Sequence, residues 1–249
     1  MIYLSLFIIN LKNQIQKPGP TVMVFTFSML NTMSLFFIWT LIFDKVPKIG
    51  NVSINDMSFL FGMATSVVGL SGFLFGGVFH LPFLISSRQF ERFMQLPRGV
   101  LQQIFPQANY ISQLGVAICS IFFFLKSNLI HPSNLHVLAL YIANGTLIYV
   151  GFLLWTGSLT FYHTSLETVS SYSEQFMMTF LLFPEKWFGP KLRFVLYSLF
   201  PIGFISYIPL KTIDQFYSME LLVTTLGSIV FYALCVSFFN FSLKRYGKK

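Results

Sequence analysis

Charge is what this 249-residue sequence lacks most: only 10% of its residues are charged, against 55% hydrophobic and 18% aromatic. Soluble domains carry about a quarter charged residues, so these are too few to solvate a globule. Cysteine is scarce as well. Cys119 and Cys235 both lie inside apolar runs far apart in sequence, which predicts buried free thiols and leaves the redox compartment open. No G-x-x-x-x-G-K-[ST] run occurs, so the chain carries no P-loop of its own. The H-E-x-x-H and G-x-S-x-G patterns and any cysteine-rich metal spacing are also missing, which argues against an enzyme or a metal site. The opening "MIYLSLFIINLKNQIQKPGP" has no cation before its apolar stretch and no small-residue cleavage site, unlike a cleaved signal peptide.

Long apolar runs are abundant instead. Several reach the roughly 20 residues that cross a bilayer, which predicts a polytopic, all-α membrane protein. The expected spans are 21–43, 57–85, 108–130, 137–162, 192–210 and 219–242. Before them, Leu4, Phe7, Ile8, Leu11 and Ile15 repeat at helical spacing, predicting an interfacial helix over 1–18 that ends at Pro18 and Pro20. Pro201 and Pro209 interrupt the fifth expected span and predict a kinked or re-entrant end.

Six spans place both termini on one side, and the cations suggest which. With the N-terminus inside, Lys12, Lys17, Arg88, Arg92, Arg98, Lys186, Lys191, Arg193, Lys244, Arg245, Lys248 and Lys249 are cytoplasmic; Lys45, Lys48, Lys126 and Lys211 are outside. Twelve against four is a positive-inside bias, and it makes 86–107 and 163–191 cytoplasmic loops. The net charge of +8 is therefore topological. It is not the clustered basic face of a nucleic-acid binder, and no nucleic acid is expected.

The segment "SSRQFERFMQLPRGVLQQ", residues 86–103, is the charged exception between two apolar runs. On a helix, Phe90, Phe93 and Met94 share one side with Leu101, Ile104 and Phe105. Arg88, Glu91, Arg92, Gln95, Arg98 and Gln102 take the other, and Pro97 divides the segment in two. Two readings fit: a helix in the lipid headgroups, or a docking helix for a soluble partner. The central parts of the six expected spans hold no Asp, Glu, Lys or Arg, so an ion-driven carrier is disfavoured. His80, His131 and His136 read as packing or loop residues, and Glu167, Glu174 and Glu185 as a solvated loop surface. Gly72 and Gly76, four apart, predict close helix packing. Ser28, Asn31 and Thr32 form a small polar stripe on the first span, suited either to interhelix hydrogen bonds or to a substrate path.

Two stretches resemble a known family. "GGVFHLPFLISSRQFERFMQLPRGVLQQI", with its Leu96-Pro97-Arg98 step, and "LLFPEKWFGPKLRFVLYSLFPIGFISYIPL", with its Pro201–Pro209 pair, are similar to the single-domain prokaryotic membrane subunit of type-2 ABC transporters. The resemblance implies one permease domain over 1–249, probed by a separate ABC ATP-binding subunit that carries the ATP and magnesium. It also implies a second permease copy or related chain, and an inner (plasma) membrane location. Arg88, Phe90, Glu91, Arg92, Phe93, Pro97 and Arg98 would then form the coupling helix, with 163–191 a second cytoplasmic contact. The path would be lined by the first, second and fifth spans, including Ser28, Asn31 and Thr32. Any outer element between the last two spans would be short, about 211–218, or built from the end of the fifth span. Export is the function so implied; a non-transporting membrane scaffold is the alternative.

Overall fold

Pro18 and Pro20 close one helix by opening the next, because a proline suits the first helical turn, where no N–H partner exists. In the computed structural model, which describes residues 2–96, 99–107, 111–215 and 219–247, α1 (Ile2–Ile15) ends just before α2 (Pro18–Lys45) begins. Helices follow throughout: α3 (Ile54–Phe75), α4 (Leu81–Ser86), α5 (Glu91–Met94), α6 (Val100–Ile104), α7 (Ile111–Ser127) and α8 (Leu135–Ser158). After them come α9 (Leu166–Leu181), α10 (Pro190–Ser198), α11 (Ile208–Thr212) and α12 (Met219–Tyr246). Among the described residues the only β-pairing is one bridge, Ile49 to Val52, around the Gly50–Asn51 turn. Both turn residues have positive φ, as a tight primed turn requires. Ser53 and Asp56 then start α3 with a reciprocal capping box.

α3 and α8 form the centre. α7 packs along one side of α3 and α2 lies outside α7; α12 lies along the other side of α8. Gly69 makes the α3–α7 approach possible, since a Cβ there would stand 2.6 Å from Ala117 N and 2.8 Å from Gln113 O. Two aromatic and aliphatic clusters fill the interior, the larger running from Phe36 and Phe61 to Phe90 and Phe239.

With roughly 1.5 Å per residue, α3 is about 33 Å long, so its two ends are well separated. The proximal end carries α1, α4–α6, residues 159–165 and the close of α12. There Tyr3 Oη donates to Leu74 O and Tyr246 Oη to Glu91 Oε1. The distal end carries the 46–53 turn, the loop after α7 and the flanks of α10 and α11.

This frame corrects two expectations. Residues 163–191 are not one loop on one side. His163 borders a proximal cavity with Arg88 and Glu91, whereas Trp187 Nε1 donates to Ile49 O at 3.0 Å and Lys186 Nζ to Asn51 O at 2.9 Å, both distal. α9 therefore runs the length of the bundle between them. Residues 192–210, conversely, are not a crossing. α10 and the 203–212 stretch are bent by 92° at the break that contains Pro201. Both flanks stay distal, because Trp187 holds the entry and Asp214 Oδ1 accepts from Asn134 Nδ2 at the exit. Tyr141 and Thr212 hydroxyls meet at 2.5 Å along the way. The segment is re-entrant, and the distal element before the last passage is built from the expected fifth span, the second of the two alternatives.

Among the described residues four helices, α2, α3 with its extension to Ser86, α8 with its extension to Phe161, and α12, are long and apolar enough to cross a membrane. With α7 and α9 the chain still passes end to end six times, the fifth passage being α9. The reassignment moves Lys186, Lys191 and Arg193 to the distal end. Among the described residues the cations become six proximal (Lys12, Lys17, Arg88, Arg92, Lys244, Arg245) and seven distal (Lys45, Lys48, Lys126, Lys186, Lys191, Arg193, Lys211). The positive-inside count thus no longer orients the bundle.

Candidate functional site

α4 ends where Arg88 takes φ +59°, a left-handed conformation that costs a non-glycine residue roughly 1 kcal/mol or more. The turn is held by Arg88 N to Ile85 O and Phe90 N to Leu84 O, at 3.2 and 2.9 Å. This reversal drives Phe90 into the bundle. Its ring lies 4.9 Å from Phe161, beyond the end of α8, and 6.4 Å from both Phe239 and Tyr246 of α12. Phe93 is buried beside it, with the Arg92 guanidinium 4.8 Å over its ring.

The sequence places these residues on an amphipathic segment, and the structure separates their roles. Phe90 and Phe93 face inward and form a pedestal. Arg88, Glu91 and Arg92 are exposed, and Arg88 and Glu91 open onto a proximal cavity of about 590 Å³ with Thr160, His163 and Tyr246. Pro97 and Arg98 lie outside the described residues. α6 returns the chain under α3: Gly77 N donates to Phe105 O, and a Cβ at Gly77 would overlap Ile104 O. Sequence reasoning missed Phe161, Phe239 and Tyr246 as the receiving surface. Their only trace was an aromatic excess common to the whole chain.

A second feature lies deeper. Ser28, Asn31 and Thr32 line a cavity of about 320 Å³ with Phe61, Thr65, Gln113, Met178 and Leu182, so α2, α3, α7 and α9 all contribute. Ser28 and Thr32 hydroxyls donate to carbonyls of their own helix, Val24 O and Ser28 O. The stripe therefore does not bond one helix to another; it borders a groove. Of the glycine pair, Gly72 meets the Gln113 side chain of α7, and Gly76 is buried at the start of the 3₁₀ turn Gly76–Val78. Gly69, three residues before Gly72, faces the same helix, where a Cβ would meet the α7 backbone at Ala117 N.

The three acids expected on one solvated surface are dispersed. Glu167 opens α9, Glu174 sits half-buried at its middle, and Glu185 pairs with Lys211 at the distal end, where Tyr197 Oη also donates to it at 3.1 Å. Among the described residues no group of three or more metal-ligating side chains comes together.

No curated protein and no solved structure matches the chain. A family model described as ABC-2 family transporter protein matches residues 29–249, which takes in the polar groove except Phe27 and Ser28, the bent proximal segment, α9 and the re-entrant distal stretch. An all-helical bundle of membrane-length helices with that match over most of its length identifies a multi-pass membrane protein of an ABC transporter: the chain belongs to the ABC-2 transporter family.

Proposed function

We propose that this chain is the permease subunit of an ATP-driven exporter, working with a separate ABC ATP-binding subunit and a second permease copy or related chain in the inner (plasma) membrane. The observation that carries the reading is the two-sided proximal segment. Its charged residues Arg88, Glu91 and Arg92 are exposed, and its aromatic residues touch the ends of two long helices. A partner pressing on that segment would displace Phe90 and, through close packing, the ends of α8 and α12 together. Family membership supports an ATPase partner, since the ABC-2 membrane domain carries no ATPase site. In this arrangement the proximal end is cytoplasmic, with both termini, and the distal re-entrant stretch faces outward. The groove bordered by Ser28, Asn31 and Thr32 serves as part of the cargo path.

Tagging the full chain in its native host and purifying it in mild detergent tests the reading. A P-loop ATPase should co-purify, and Arg92→Glu should release it while the permease stays membrane-inserted. Repeated preparations of the unaltered chain without any such ATPase would overturn the assignment. Retained binding by Arg92→Glu and Arg88→Glu together would move the docking surface elsewhere.

A further inference from the structure

A carboxamide in hydrocarbon is expensive unless its donors and its acceptor are matched. The 320 Å³ groove has two on its walls, Asn31 of α2 and Gln113 of α7. Among the described residues neither side chain has a hydrogen-bond partner. Asn31 sits at the middle of the 28-residue α2, where a crossing helix is farthest from water. α2 and α7 lie side by side in the same direction. Gly115 faces Phe25 and Met29, and further along Phe122 and Phe123 face Phe36. That register leaves Gln113 and Asn31 roughly one helical turn apart along the same groove. Gly72 of α3 is what admits Gln113: a Cβ there would stand 2.6 Å from its Cγ and 3.0 Å from its Cδ.

The rest of the lining narrows the ligand. The Ser28, Thr32 and Thr65 hydroxyls donate to Val24 O, Ser28 O and Phe61 O of their own helices, so they turn only lone pairs to the groove. The two carboxamides therefore supply its side-chain donors, and they supply acceptors as well. None of the described lining residues is ionisable, so a charged group buried here would lie unpaired. Phe61, Ala64 and Val68 add an apolar surface, and the exposed Phe27 and Leu35 leave the groove open along α2.

We infer that the groove between α2, α3, α7 and α9 binds an uncharged amphiphile, with its hydroxyl or amide groups on Asn31 and Gln113 and its apolar chain on the phenylalanines. This deepens the cargo-path role of the groove and rests on the permease reading for its meaning as transport, but binding is testable without transport. Gly72 acts through Gln113, as a positioning residue.

The probe is a monoacylglycerol with a photoactivatable diazirine in its acyl chain, added to the full chain in phosphatidylcholine nanodiscs. Cross-linked peptides are read by mass spectrometry. Labelling should map to the groove faces of α2, α3, α7 and α9, and unlabelled monoacylglycerol should displace it. Lysophosphatidic acid and acylcholine carry the same chain under an anionic or a cationic head, and should compete about tenfold less well or worse. Equal competition by all three in the wild type would overturn the inference, without any variant having to fold. Asn31→Leu and Gln113→Leu should each weaken binding by about fivefold, the scale of one lost neutral hydrogen bond. Gly72→Ala should do nearly the same by displacing Gln113, and should add nothing on top of Gln113→Leu. Unchanged affinity in variants that elute as the same single species as wild type would also overturn it. Should Asn31→Cys chains cross-link to one another and exclude the probe, the groove would belong to a second copy and the inference would fall. An ATPase that co-purifies with a chain showing no such selectivity would remove the ligand class and keep the permease. Selective binding without an ATPase partner would do the reverse.

Discussion

The bent segment at one end of this bundle and the re-entrant segment at the other are seated differently. At the distal end, polar links join segments far apart in sequence: Trp187 to Ile49, Lys186 to Asn51, Asn134 to Asp214, and Lys211 to Glu185. The proximal end has polar links too, Tyr3 to Leu74 O, Ile111 N to Gln14 and Tyr246 to Glu91, but its bent segment is seated through rings, with Phe90 between Phe161, Phe239 and Tyr246. Its cations Arg88, Arg92 and Arg245 make no side-chain ion pair among the described residues. The distal pair Lys211–Glu185 has no proximal counterpart among the described residues. A segment latched by hydrogen bonds and an ion pair should resist displacement more than one seated through rings with its arginines outside, and the proposed docking role belongs to the second.

That contrast can be broken, and the most severe test is steric. Gly77→Val should destabilise the chain by about 3 kcal/mol or more, because neither α3 nor the backbone of α6 can yield to a side chain there. The loss should appear as a lower unfolding midpoint in detergent. Phe90→Ala should follow, costing about 3 kcal/mol for the cavity it leaves, with Phe90→Leu recovering most of it. An Ala variant as stable as wild type would mean that Phe90 is no pedestal.

The electrostatic half of the comparison predicts smaller effects. Lys211→Ala should cost about 1 kcal/mol, since Lys211 is half exposed and screening discounts the pair, although Glu185 is largely covered. A double-mutant cycle with Glu185→Gln should return a coupling of about that size, reduced at high salt. Smallest of all, Arg92→Glu should leave the unfolding midpoint within about 0.5 kcal/mol of wild type, because its side chain is at the surface. If Arg92→Glu proved as destabilising as Lys211→Ala, the two ends would not differ in the way described.

The bent segment shows how far a sequence pattern carries. Its alternation of aromatic and charged residues announced one buried and one solvated side; Phe90 and Phe93 are buried and Arg88, Glu91 and Arg92 exposed, but Met94, on the expected apolar side, is exposed. It could not say that the buried side faces Phe161 and Phe239 of the same chain instead of a partner's groove, since amphipathicity names a partner medium and not its identity. The polar stripe on α2 behaves likewise: Ser28, Asn31 and Thr32 were visible as a set, but the groove they border needs α9 opposite them. The placement of α9, and of Glu174 on it, was not legible for a related reason. A helix reading "LETVSSYSEQFMMTFL" has loop-like polarity by itself and runs through the bundle because α3, α4 and α8 surround it.

The long apolar runs alone were enough to dictate helices and a bilayer, since an unpaired backbone is too costly in hydrocarbon for any other local choice. Which passage is fifth was not a local matter. "FVLYSLFPIGFISYIPL" is apolar enough to cross and does not, because a tryptophan at one flank and an asparagine at the other tie both its ends to the same side. Apolarity sets what a segment can tolerate, whereas contacts between distant residues decide where its ends must be.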